Sequence, residues 1–348
     1  MPDINSLAIK KILIIDLAFI GDVVLATPVT RALRQKWPQA EITMLTVPLT
    51  SSVAAMNPYV DQVLVYDKKN EYRGWSGMWK MAQKLRQYQF DLAVCMNFAL
   101  RGALVSFLAR IPYRLGYDAQ WAGMFLTWAS DHHRQGLQHE TRNHLEVFKA
   151  WGWHPEDTSL VLSPAQEVQQ SYGVKAQALA LEKQKYWVLC PFGSYGRKNM
   201  PTALGVQLIR TLEESAPVYL IGGAGEKAGL EAFAKAGHIA DSRVQAGTLT
   251  LPELALFLQG ARALVGVDTG PMHIAQAVQC PTIALFGPTD PKVWGPENSN
   301  SHIIYLANSC SPCWGKGKCQ QHNSCMKNIK AQDVLEALKL VGENNGNI

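Results

Sequence analysis

Short apolar runs alternate along the chain with longer segments whose apolar residues recur at helical spacing. Residues 11–16 (KILIID) form a β-branched, nearly continuous apolar run, the pattern of a strand buried on both faces. A loop over 17–21 and a helix over 22–36, stopped near Pro38, are expected next. Further strands are expected at 41–47 (EITMLTV), 62–66 (QVLVY) and 91–96 (DLAVCM), with helices at 75–88, 102–110 and 140–151. From 155 to about 185 the pattern weakens and turns polar and Gln-rich, which places a domain boundary there. A second alternation follows, with strands at 186–190, 218–221, 263–267 and 282–286 and helices at 202–215, 251–259 and 271–278.

Strands that alternate with helices imply parallel sheets joined by right-handed crossovers. The expected fold class is therefore α/β: two doubly wound domains, 1–165 and 166–348, facing each other across a cleft. The last helix is left free to pack back on the N-terminal domain. Ligands of such sheets sit beyond the carboxyl ends of the strands, so the loops that follow strands are where chemistry is sought.

Composition narrows the class. The 348 residues are 47% hydrophobic and 18% charged, an ordinary globular balance that excludes a disordered or collagen-like chain. The net charge of +5 is too weak and dispersed to argue for nucleic acid, but suits an anionic substrate or an anionic membrane surface. No apolar run is long enough to span a membrane. The first residues read as no signal peptide, so the chain is expected in the cytoplasm with its seven cysteines reduced.

Four loops carry candidate chemistry. In GVDTGPMHIAQA (266–277) a strand ends and a helix begins around Pro271. Asp268, Thr269 and Gly270 then sit at a helix N-terminus, where amides and dipole favour a phosphate; a capped turn reads the same residues. His273 falls in the first turn, facing ligand or core. In PFGSYGRKNMP (191–201), Gly193 and Gly196 allow close backbone approach, Ser194 offers a hydroxyl, and Arg197 and Lys198 offer charge, as a phosphoryl group requires; a basic surface loop is the alternative. In GGAGE (222–226), Glu226 suits a ribose hydroxyl or simply a helix dipole. In AFIGDV (18–23), Gly21 permits a tight turn and Asp22 is either an N-cap or a general base.

These motifs, taken together, resemble glycosyltransferase family 9, the ADP-heptose:lipopolysaccharide heptosyltransferases. The likeness rests on GDVVLATPVTRALRQKWP, on DTGPMH followed by FGPTDP and WGP, and on the late CSPCWGKGKC, in the family's order over nearly the whole chain. It implies a GT-B fold and inverting transfer of a heptose from ADP-heptose to the lipopolysaccharide inner core. By the same resemblance, Asp22 matches the general base and Gly21 its turn. Ser194 and Lys198 match the pyrophosphate loop, Glu226 the ribose-binding acid, and Leu249 the residue packing on adenine. Asp268, Thr269, Gly270, Pro271, Met272 and His273 match the donor loop. Arg101, His139 and Arg142 fall where the family places basic groups toward an acidic acceptor. The chain has no Asp-x-Asp motif, which argues for a leaving diphosphate stabilised by protein groups and not by a metal.

Two features stay outside that scheme. Cys310, Cys313, Cys319 and Cys325 are spaced C-x2-C-x5-C-x5-C, which leaves a structural zinc, a disulfide or free thiols open; otherwise no cofactor is expected. The stretches around Trp75, Met78, Trp79 and Met81, and around Trp121, Met124, Phe125 and Trp128, read as core packing or as a surface touching the inner membrane. A nucleotide-sugar-binding module without turnover and a zinc-dependent interaction protein are the rival classes.

Overall fold

The computed structural model describes residues 4–131, 138–319 and 321–343, which form two compact units, Met1–Val161 and Leu162–Ile348. The first unit carries β1 (Lys11–Ile15), α1 (Ile20–Leu25), α2 (Thr27–Lys36), β2 (Glu41–Thr46), α3 (Ser51–Ala54) and β3 (Gln62–Val65). It continues with α4 (Gly74–Tyr88), β4 (Leu92–Cys95), α5 (Leu100–Leu108), β5 (Tyr113–Asp118), β6 (Trp128–Asp131) and α6 (Glu140–Leu145). Its six strands pair in parallel in the order β3-β2-β1-β4-β5-β6.

The second unit carries α7 (Gln166–Ala178), β7 (Trp187–Cys190), α8 (Thr202–Glu213), β8 (Val218–Gly222), α9 (Lys227–Gly237), β9 (Val244–Ala246) and α10 (Leu251–Gly260). There follow β10 (Ala263–Val267), α11 (Gly270–Ala277), β11 (Thr282–Phe286), α12 (Pro291–Trp294), β12 (Ser301–Tyr305), α13 (Ser324–Lys327) and α14 (Ala331–Glu343). Its strand order, β12-β11-β10-β7-β8-β9, repeats that of the first unit, again all parallel. In each sheet the winding starts in the middle and runs outward in both directions. The doubly wound α/β architecture is thus present twice.

Each sheet is buried on both faces, as the β-branched strands require. Leu13, Ile15, Leu45 and Ala93 pack with Met78, Met81 and Leu85 of α4 in the first unit. Leu189, Leu220, Val265 and Ile283 pack with helices α8, α9 and α14 in the second. Buried Val334, Ala337, Leu338 and Val341 place the last helix in the core of the C-terminal unit.

Three departures from the expected elements have local causes. The single helix expected over 22–36 is two, because Pro28 lies in the first turn of α2 and offers no N–H; Ala26 closes α1 by donating to the Asp22 carbonyl at 2.9 Å. The polar stretch 155–185 contains α7, whose hydrophobic pattern is silent because it buries none of its residues. Residues 140–151 begin as α6 and tighten into a 3-10 helix, Glu146–Trp151.

Leu13→Ala removes a wholly buried side chain at the centre of the first sheet and should cost about 3 kcal/mol. Leu340→Ala, on the exposed face of α14, should stay within about 0.5 kcal/mol. Denaturant midpoints of the two variants check both values.

Candidate functional site

The first unit concentrates its polar chemistry where β1 and β4 end side by side and the winding reverses. Asp16 follows β1 directly and is wholly buried. Its Oδ1 accepts from Asn97 Nδ2 at 3.0 Å and from the Ala18 amide at 3.1 Å. Oδ2 has no hydrogen-bond partner among the described residues. Burial raises the Asp16 carboxyl above its ordinary range, although His144, Asn97, the Ala18 amide and Lys68 all pull it down.

Asp22 stands in the first turn of α1, and its Oδ2 accepts from the Phe19 amide at 3.2 Å. Asp22 is thus not the N-cap, which is Phe19, but the third helical residue, whose carboxylate reaches back to the N-cap amide. Burial, then the neighbouring Asp16, pushes its carboxyl up to about 6, against the pull of His144 and the Phe19 amide. That value suits a general base near neutral pH. Gly21 precedes it in the same turn.

Helix α6 packs on α1 and brings Glu140 and His144, both buried, to Asp22; one ligand-type atom of each of the three lies within 4.8 Å of the others. His144 Nε2 is 3.6 Å from Glu140 Oε1, and Asn143 Nδ2 donates to Glu140 Oε2 at 2.9 Å. Burial disfavours the charged imidazole, yet Glu140, Asp16 and Asp22 together raise His144 above its ordinary value.

The three basic residues expected toward an acceptor take different positions. His139 is buried and caps α6, with Nδ1 accepting from the Thr141 amide at 3.3 Å. Arg142 is exposed on α6. Arg101, at the start of α5, donates to Tyr66 Oη at 3.1 Å and lines a pocket with Trp75 and Gln120. Beyond β1, β2 and β3 lies a second pocket, of about 450 Å³, lined by Phe19, Leu49, Lys68 and Lys69 among others. Lys68 Nζ donates to the Leu17 carbonyl at 2.9 Å.

The second unit builds an anion-type site at its own reversal, between β7 and β10. After β10, buried Asp268 leads to Thr269, the N-cap of α11, and Pro271 occupies the first turn where no N–H is needed. After β7, the 3-10 helix Gly196–Lys198 carries Lys198 back so that its Nζ meets Asp268 Oδ2 at 2.7 Å. Gly193 is required here, since a Cβ would stand 2.7 Å from Lys198 Cβ. Ser194 is exposed in the same loop. Lys198 Nζ also lies 5.1 Å from the Tyr195 ring centroid.

Glu226 and Leu249 come together at the ends of β8 and β9. Glu226 Oε2 accepts from the Gly223 amide at 2.7 Å, so it closes its own turn. Gly247, at φ +68°, donates to the Gly222 carbonyl at 2.9 Å and carries the half-buried Leu249 beside that turn. Gly270 belongs to the α11 turn. The Met272 side chain is wholly buried against Ala284 and Phe286. His273 is buried with its ring 6.3 Å from that of Trp294.

Residue types alone do not expose Asp16, Asn97, Lys68, Lys69, Glu140 and His144. The Glu140–His144 spacing of four residues on one helix was the available signal. The late cysteines are free thiols, from exposed Cys310 to buried Cys325. Among the described residues, Asp22, Glu140 and His144 form the group of three with ligand atoms this close; the cysteines do not. Cys95, Cys190 and Cys280 are buried core thiols, each pushed up to about 12 by burial. The aromatic stretches split: Met78, Met81 and Trp128 are core, while Trp75, Trp121 and Met124 are exposed.

Two Rossmann-like units, each a doubly wound, all-parallel six-stranded sheet, define the GT-B class of glycosyltransferases. A family model, glycosyltransferase family 9 (heptosyltransferase), matches residues 78–324, and the chain belongs to this family. It is 25% identical to lipopolysaccharide heptosyltransferase 2 of Escherichia coli K12, over 94% of this chain and 97% of that one. Its fold is that of a family 9 glycosyl transferase from Veillonella parvula, with a TM-score of 0.84 at 20% identity, covering 97% of this chain and 99% of that one. The E. coli ADP-heptose lps heptosyltransferase II gives a TM-score of 0.78 at 21% identity, covering 96% and 99%.

The Lys198–Asp268 pair generates a stability prediction. Lys198→Met strands a carboxylate that is only 6% exposed and should cost about 3 kcal/mol. Lys198→Met combined with Asp268→Asn should lose clearly less than the two single changes summed, in a double-mutant cycle read by denaturant unfolding.

Proposed function

We propose that this chain transfers a heptose from ADP-heptose to the inner core of lipopolysaccharide, with inversion at the anomeric carbon. The observation that carries the reading is Asp22, a carboxyl in the first turn of α1 held up at about 6. A single displacement needs one base to take the proton from the acceptor hydroxyl as that oxygen attacks. Asp22, raised to about 6, combines a carboxylate at neutral pH with the basicity to accept that proton.

The departing diphosphate needs positive potential. Lys198 and the N-terminal turn of α11, beginning at Gly270, would supply it within the second unit. Glu226 and Leu249, gathered at one end of β8 and β9, would hold ribose and adenine. In this reading no metal takes part in the transfer. The acceptor's acidic groups would meet Lys68, Lys69, Arg101 and Arg142 on the first unit. A relative of the family using another nucleotide sugar or core acceptor is the alternative, and a nucleotide-sugar-binding module without turnover is the other.

Calorimetric titration with ADP, UDP and GDP in EDTA discriminates these. The expected result is micromolar binding of ADP alone; preference for UDP or GDP removes the ADP-heptose assignment. Asp22→Asn should reduce transfer by about a thousandfold or more and leave ADP affinity within about twofold. Equal loss of both would make Asp22 a cap and not a base. The acidic limb of the rate should fall near pH 6, because the base is lost as Asp22 takes up its proton.

The same reading includes contact with the inner face of the inner membrane. Trp75 is 76% exposed, Trp121 80% and Met124 75%, with Arg73 and Lys80 exposed close by in sequence. Such a basic, aromatic surface suits anionic headgroups. Replacing Trp75, Trp121 and Met124 together by Ser should abolish sedimentation with anionic vesicles at low salt; unchanged sedimentation would remove the membrane from this account.

A further inference from the structure

The polar cluster behind Asp22 is more than a base needs. Where α6 packs on α1, Asp22 and Glu140 meet the His144 imidazole within 4.8 Å, and the Asp16 carboxyl lies close enough to act on both Asp22 and His144. Asp16, Glu140 and His144 are all buried. Carboxylates gathered this closely away from water cannot all ionise unless a positive charge stands among them.

Among the described residues, Lys68 and His144 are the cations that act on the two aspartates. Lys68, beyond β3, acts on Asp16 from the far side while bonded to the Leu17 carbonyl. Arg101 acts on Lys68 and not on Asp22. His144 is the group that faces both aspartates, from one turn beyond Glu140 on α6. The helix is pinned where it matters: Tyr117 Oη donates to the Asn143 carbonyl at 2.5 Å and to that of His144 at 3.0 Å, and Asn143 holds Glu140.

We infer that His144, oriented by Glu140, is a positioning residue for the transfer reaction: it is the counter-ion that keeps Asp22 a carboxylate beside buried Asp16. The inference rests on Asp22 being the base. A bound divalent cation would gather the same side chains around a neutral imidazole, whereas here the ring faces the Glu140 carboxylate, with Nε2 3.6 Å from Oε1.

The sign of the effect follows from charge. Removing the imidazolium leaves Asp22 facing Asp16 and Glu140 alone, so its proton is held more tightly and the base is lost at higher pH. In His144→Gln the acidic limb of kcat/KM should move up by about one pH unit, with about tenfold loss of rate on that limb. At about pH 9 the variant should come within about twofold of wild type, with donor KM unchanged. A uniform loss at every pH, or an unmoved limb, overturns the inference.

Imidazole carbon and nitrogen shifts of the histidine-labelled wild-type protein give a reading that does not need the His144 variant to fold. The His144 ring should hold its proton to a higher pH than an ordinary histidine, and Glu140→Gln should lower its midpoint. A ring that loses its proton at or below the ordinary histidine midpoint, or one equivalent of divalent metal that leaves on Asp22→Asn, overturns the inference. Failure of the underlying reading looks different: Asp22→Asn would keep its transfer rate while the His144 ring titrated as stated.

Discussion

An all-parallel sheet that begins in its middle sends its crossovers outward in opposite directions, and the two central strands end beside each other with their loops parting. Everything distinctive in this chain depends on how that gap is tied. In the first unit the tie is Asn97 to Asp16, from the loops after β4 and β1. In the second it is Lys198 to Asp268, from the loops after β7 and β10. Both are polar, both are largely withdrawn from water, and each sets the loop on which the neighbouring chemistry stands.

The two ties differ in kind. Lys198–Asp268 joins opposite charges, so the second unit keeps a cation near an N-terminal helix turn while masking it in the free protein. Asn97–Asp16 joins an amide to a carboxyl, which leaves the negative charge uncancelled. That carboxyl adds to the effect of burial in pushing the next one, Asp22, upward. The first unit is therefore built around surplus negative charge at one point, although the chain as a whole is positive.

Most of the fold is legible in the apolar runs, because a strand buried on both faces cannot hide. KILII, LAVC and TIALF are each found where the pattern puts them. The short strands at the sheet margins, such as β6 and β9, are not legible, since half-buried residues like Trp128-Ala129-Ser130 carry no continuous run. The loops after central strands were readable as candidates because glycine, proline and charge mark them. What they do locally was not. Glu226 spends a carboxylate oxygen on its own turn, Met272 is core, and His139 is a cap; residue type and spacing are the same in either role. The Asp16–Glu140–His144 grouping joins residues more than a hundred positions apart, and only the packing of α6 on α1 brings them together.

The close approach at Gly247 has a consequence for how this chain can vary. A side chain there would meet the Ala224 backbone nitrogen at 2.9 Å, and the residue already sits at φ +68°. Backbone against backbone leaves no rotamer to absorb an added methyl group. The turns after β8 and β9 are therefore interlocked, and neither can gain or lose a residue alone without moving Glu226 and Leu249 apart. Drift in this lineage would have to proceed there by paired changes, whereas the outer face of α7, at Glu167, Gln170, Ser171 and Val174, is exposed and open to single substitutions.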